Sequence, residues 1–150
     1  MEFRSMNEIL DFAISKEEEA YNFYYKIADS AKFSNMRTLF IEFAKQEEGH
    51  KAKLLQVKGG KMELPSDKTV KDLKIGDHLV DISIAPDLSY QEALIVAMKA
   101  EKNAFVMYTN LANAATDSNL KALLQGLAVE EANHKLRFEM EYDDQFMGQN

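Results

Sequence analysis

A gapless internal repeat constrains this chain more than any other feature. Residues 5–58 align with residues 89–142 at a constant offset of 84, and sixteen of the 54 paired positions are identical. The first members of the identical pairs are Ser5, Glu8, Leu10, Ala13, Glu17, Ala20, Tyr24, Ala28, Ala31, Ser34, Asn35, Leu39, Ala44, Glu47, His50 and Lys51. Unrelated segments would share only a few of these. The sequence therefore predicts one domain, residues 1–150, built from two like units, 5–58 and 89–142.

Each unit reads as two helices. Both open on S-x-x-E, Ser5 with Glu8 and Ser89 with Glu92, the box in which serine and glutamate satisfy each other's free amides at a helix start. The spacing predicts helices over about 5–31, 34–58, 89–115 and 118–146, the second stopping at Gly59 and Gly60. Short connections within a unit force antiparallel neighbours. Between the units lie about thirty residues, 59–88, with both prolines and a possible short helix over 67–79. A connector of that length lets helices two and three run in the same direction. The expectation is an all-α, ferritin-like four-helix bundle with one long crossover between helices two and three.

The apolar seam of the bundle is interrupted at six places. On the first helix it runs Leu10, Ala13, Glu17, Ala20, Tyr24, Ile27 and Ala31; on the third, Leu94, Ala97, Glu101, Ala104, Tyr108, Leu111 and Ala115. On the second it runs Met36, Phe40, Phe43, Glu47, His50, Leu54 and Val57; on the fourth, Leu120, Leu124, Leu127, Glu131, His134 and Phe138. Four glutamates and two histidines thus point inward. A buried carboxylate is costly alone, and four together repel one another. Two divalent cations would cancel their four negative charges. E-x-x-H sets both its donors on one helix face. Two such helices, with one glutamate from each remaining helix, match the arrangement of di-iron and di-manganese carboxylate bundles.

Single motifs of this kind are common on solvated helices; six inward polar residues kept in register by a repeat are not. Glu18, Glu19, Glu48 and Glu130 read as flanking or exposed acids, His78 as an ordinary histidine of the connector, and the eight methionines as core filler. Tyr24 and Tyr108 lie two turns after the lone glutamate of their helices and share its face. They are core aromatics whose hydroxyls can orient a metal-binding carboxylate.

Composition narrows the function classes. A net charge of −7 without a basic cluster argues against nucleic acid. The longest apolar run, residues 93–98, is too short for a membrane span, and the start of the chain has no apolar signal core, so a cytoplasmic protein is expected. With no cysteine, any metal must be held by oxygen and nitrogen.

Glu17 with Tyr24, Glu47 and His50, Glu101 with Tyr108, and Glu131 and His134 resemble the rubrerythrin branch of the ferritin-like superfamily across essentially the whole chain. The resemblance implies a non-haem di-iron centre reacting with hydrogen peroxide or dioxygen, frequent homodimers, and a role in oxidative-stress defence. It also implies that Glu47 and Glu131 bridge the metals, and so carry the catalysis. Two features depart from the family pattern. Typical members append a cysteine-rich rubredoxin domain that delivers electrons, which implies a separate electron-donor protein here. They also carry an extra glutamate near the third-helix ligand, where residues 102–108 read KNAFVMY. Alternatives stay open: iron oxidation or binding without peroxidase turnover, or a structural bundle. Manganese or zinc could occupy the same donors.

Overall fold

The computed structural model describes residues 5–58 and 88–147. They form four helices: α1 (Met6–Ser30), α2 (Ser34–Val57), α3 (Tyr90–Ala114) and α4 (Ser118–Tyr142), with a π-helical turn at Asp143–Met147. The fourth helix therefore ends some residues before the boundary its pattern suggested, and the chain continues in a wider turn. The connector, its predicted helix over 67–79, Gly59, Gly60 and His78 all lie outside the described residues.

The helix starts follow local chemistry. Ser89 and Glu92 form the complete reciprocal box, with Glu92 N donating to Ser89 Oγ at 3.1 Å and Ser89 N to Glu92 Oε1 at 3.1 Å. Ser5 Oγ accepts from Glu8 N at 3.3 Å. Asp117 caps α4 by accepting from Leu120 N at 2.8 Å. At the end of α1, Arg37 reaches back to the carbonyl of Ala28 (3.4 Å), which also accepts from Ala31 N, and to that of Ala31 (3.2 Å). That clasp fixes the tight turn from α1 into α2.

Contacts between the hairpins set the topology. Tyr24 meets Glu101 and Tyr108 meets Glu17, so α1 runs antiparallel to α3. Since α2 is antiparallel to α1, α2 and α3 run in the same direction. This is the ferritin-like arrangement that the long connector predicted.

The core divides into two clusters on either side of the polar seam. One carries most of the buried aromatic rings, Phe23, Tyr24, Phe40, Phe43 and Phe138. Within it Phe138 stacks on Phe43 at 4.2 Å and on Phe40 at 5.6 Å between ring centroids. The other is largely aliphatic, with Ile9, Leu10, Leu54, Leu111, Leu120, Leu124 and Leu127. Burying each such side chain contributes roughly 1.5–3 kcal/mol, so both clusters hold the seam from its two ends. Met6, Met36 and Met107 are core residues as expected, whereas Met140 and Met147 are exposed. No described helix is long and apolar enough to cross a membrane.

Candidate metal centre

Every inward polar residue of the seam is buried. Glu17, Glu47, His50, Glu101, Glu131 and His134 are each 6% exposed or less, and together they form one cluster. Glu47, His50, Glu131 and His134 each place a donor atom within 4.8 Å of the others. His50 Nδ1 lies 3.2 Å from Glu17 Oε2, 3.1 Å from Glu47 Oε1 and 3.2 Å from Glu131 Oε1. His134 Nδ1 lies 3.5 Å from Glu101 Oε2, 3.6 Å from Glu47 Oε1 and 3.4 Å from Glu131 Oε1. Two half-sites emerge: Glu17 with His50, and Glu101 with His134. Glu47 and Glu131 are within reach of both. The two imidazole rings lie nearly parallel, 4° apart in plane and 5.7 Å between centroids.

None of these close approaches is a hydrogen bond. Glu17 Oε2, Glu47 Oε1, Glu101 Oε2, both carboxylate oxygens of Glu131 and the Nδ1 atoms of His50 and His134 are all buried without a hydrogen-bond partner. Buried polar groups are almost always paired, so seven such atoms around one point demand an account. They are all carboxylate oxygens or imidazole nitrogens gathered in one buried cluster. A cation bound among them would satisfy them together. The donor set, carboxylate and imidazole without thiolate, suits iron, manganese and zinc.

Electrostatics agree. Burial, then the charges of Glu131, Glu17 and Glu101, push the Glu47 carboxyl well above its usual range. Burial, then Glu101 and Glu17, does the same to Glu131. Burial raises Glu17 as well. For His50 burial favours the neutral ring, but Glu131, Glu17 and Glu47 overcome it and hold the imidazole on the protonated side. His134 is likewise raised against its burial, by Glu101 and Glu47. A bound cation takes the place of those protons, because metal ligands must be deprotonated.

The remaining contacts cross between the repeats. Tyr24 donates to Glu101 Oε1 at 2.7 Å, and Tyr108 donates to Glu17 Oε1 at 3.0 Å. Each tyrosine thus fixes the carboxylate of the other hairpin and leaves that group's second oxygen facing the cluster. Burial, then the neighbouring glutamate charges, raises both phenols well above their ordinary value, so they stay protonated and donate. An acceptor oxygen also stands at the outward edge of each imidazole. His134 Nε2 bonds to Gln46 Oε1, and His50 Nε2 lies 3.3 Å from Glu130 Oε2. Neither Gln46 nor Glu130 stands out in the sequence. Their signal is faint: both immediately precede the glutamate of an E-x-x-H, at equivalent places in the repeat. Glu130, which reads as a flanking acid, is half exposed yet reaches the imidazole. Glu48 is exposed and bonds to Tyr25, away from the cluster.

Known proteins bear this out at the level of fold and family. A solved structure of a hypothetical protein from Pyrococcus furiosus superposes with a TM-score of 0.69 at 23% identity, covering 93% of this chain and 89% of the other. A candidate ferritin-like diiron-carboxylate protein from Thermotoga maritima superposes with a TM-score of 0.72 at 18% identity, covering 96% and 98%. At these identities the likeness speaks for the fold alone. No curated protein matches the sequence significantly. The family model for rubrerythrin matches residues 8–142, a span that takes in all six buried polar residues. With four helices in ferritin-like order around a Glu/His cluster able to bind metal, the chain belongs to the rubrerythrin family.

Proposed function

We propose that the cluster holds two iron ions and that the protein reduces hydrogen peroxide or dioxygen, in oxidative-stress defence, with electrons from a separate donor protein. The observation that carries this reading is the set of seven buried, unpaired donor atoms around one centre. Glu17 and His50 would hold one ion, Glu101 and His134 the other, and Glu47 and Glu131 would be shared. Iron bound there supplies the electrons for the oxidant by passing from ferrous to ferric.

The chain's own residues do the rest. Tyr24 and Tyr108 orient the two terminal carboxylates and keep their own protons. The aromatic and aliphatic clusters exclude water from the two ends of the site, which strengthens every charge interaction inside it. Because the six site residues are 6% exposed or less, the site suits a small oxidant, and a protein donor has to pass electrons through the bundle wall. One observation favours a second reading, ferrous-ion oxidation without sustained peroxide turnover: residues 102–108 carry no acid beside Glu101.

Anaerobic loading with ferrous iron, followed by rapid mixing with peroxide and separately with dioxygen, tests both. The expected result is two irons retained per chain, oxidised by at least one of the two oxidants and oxidised again after each addition of reductant. A single round of oxidation that reductant does not renew selects the second reading. Failure to retain iron through desalting overturns both.

A further inference from the structure

Although the six residues of the cluster repeat without change, the groups behind the two histidines do not. Gln46 and Glu130 occupy equivalent places in the repeat, and each faces the imidazole of the opposite hairpin. Gln46 Oε1 hydrogen-bonds with His134 Nε2, and Glu130 Oε2 stands 3.3 Å from His50 Nε2, so each acceptor oxygen favours the tautomer with its ring proton at Nε2 and Nδ1 bare toward the cluster. One acceptor is a neutral amide and the other a carboxylate. A carboxylate accepting from an imidazole N–H makes the ring a stronger donor at its other nitrogen, and a charge-assisted hydrogen bond exceeds a neutral one. Lys53 Nζ, 3.6 Å from the same Glu130 oxygen, damps that charge without removing the acceptor. The packing beside the two rings differs as well. Phe43 sets an aromatic edge against His134, at 4.8 Å and 85°, where the repeat puts aliphatic Leu127 for the other half.

We propose that Gln46 and Glu130 are positioning residues that make the two halves of the metal centre unequal, the Glu130-backed His50 half binding a divalent cation more tightly. The inference rests on the metal reading given above. It replaces the equivalence of the two halves, which the repeated glutamates and histidines would suggest, with a built-in order of filling.

Anaerobic titration with cobalt(II), followed by its visible absorption, tests it. Losing an outer hydrogen-bond partner of a metal-bound histidine costs about 10- to 100-fold in affinity, and an amide retains an acceptor, so a difference of about tenfold between the halves is expected. With that difference, Glu130→Gln weakens the first binding step about fivefold and leaves the second within about twofold. Gln46→Glu does the converse, strengthening the second step about fivefold while leaving the first within about twofold. The double variant Gln46→Glu/Glu130→Gln restores the wild-type isotherm. A structural defect would weaken both steps and would not be rescued by the exchange. As a second readout, the hyperfine-shifted imidazole N–H resonances of the cobalt protein should differ in wild type, with only one moving in Glu130→Gln. Equal shifts in both steps, or an isotherm unchanged by either variant, overturn the inequality. Failure of wild-type protein to bind cobalt at all overturns the metal reading instead.

Discussion

Replacing Glu131 by glutamine should have opposite effects on the metal-free and the metal-loaded protein. Both oxygens of Glu131 are buried and unpaired, and its carboxyl is pushed up first by burial and then by Glu101 and Glu17. In metal-free protein the change removes one member of a crowded set of acids while conserving shape. Glutamine is spared the cost of holding that carboxyl neutral against its ordinary ionisation, worth on the order of 1 kcal/mol or more. For a chain of this size, 1 kcal/mol moves the melting temperature by about 2–4 °C. Chelated Glu131→Gln should therefore melt a few degrees above chelated wild type. With metal the sign reverses. A ligand at 100 times its dissociation constant adds about 2.7 kcal/mol to the folded state, or about 5–11 °C. A shared carboxylate reduced to an amide should forfeit most of that gain. Differential scanning calorimetry with chelator and with cobalt(II) reads both effects, and Glu19→Gln, an exposed change, should do neither. If Glu131→Gln lowers the melting temperature equally with and without metal, the carboxylate is an ordinary structural acid and the reasoning fails.

Two further outcomes follow from the same geometry. Tyr24→Phe and Tyr108→Phe each remove one hydrogen bond to a buried carboxylate, at 2.7 and 3.0 Å; each should cost about 1.5–3 kcal/mol by denaturant unfolding, while cobalt binding survives in weakened form. Phe138→Ala empties the centre of the aromatic stack, where Phe138 meets Tyr24, Phe40 and Phe43, and should destabilise the protein by about 3–5 kcal/mol in the same assay.

The buried polar seam was legible because it violates a strong rule. Glu17 and His50 stand at positions where helical spacing demands apolar residues, and a second copy 84 residues later commits the same violation. Periodicity and repetition are local properties of the chain, so they can be read without a structure. The roles of Gln46 and Glu130 are not local. Each lies beside the seam, half-buried or half-exposed, where glutamine and glutamate are the ordinary choice for a solvated flank. What distinguishes them is the histidine that the other hairpin brings opposite, and only packing determines that. The split of the core into aromatic and aliphatic ends was hidden for the same reason. Phe40 and Leu124 are equally good seam residues, and nothing in a helical pattern says that Phe40 will meet Phe138.

The crossing of contacts between the hairpins has a consequence for how such a centre comes to be assembled. Tyr24 serves Glu101 as Tyr108 serves Glu17, and Gln46 faces His134 as Glu130 faces His50. Reciprocity of this form, in which i touches j and j touches i, defines an isologous interface between two copies of one subunit. The bundle has the internal geometry of a two-fold dimer of a helical hairpin, with the connector serving as a tether. Joining the two hairpins in one chain turns their meeting into an intramolecular event. Completion of the cluster then no longer depends on how much protein is present. Once joined, the two copies are also free to diverge from one another, one keeping glutamine behind its partner's imidazole and the other glutamate.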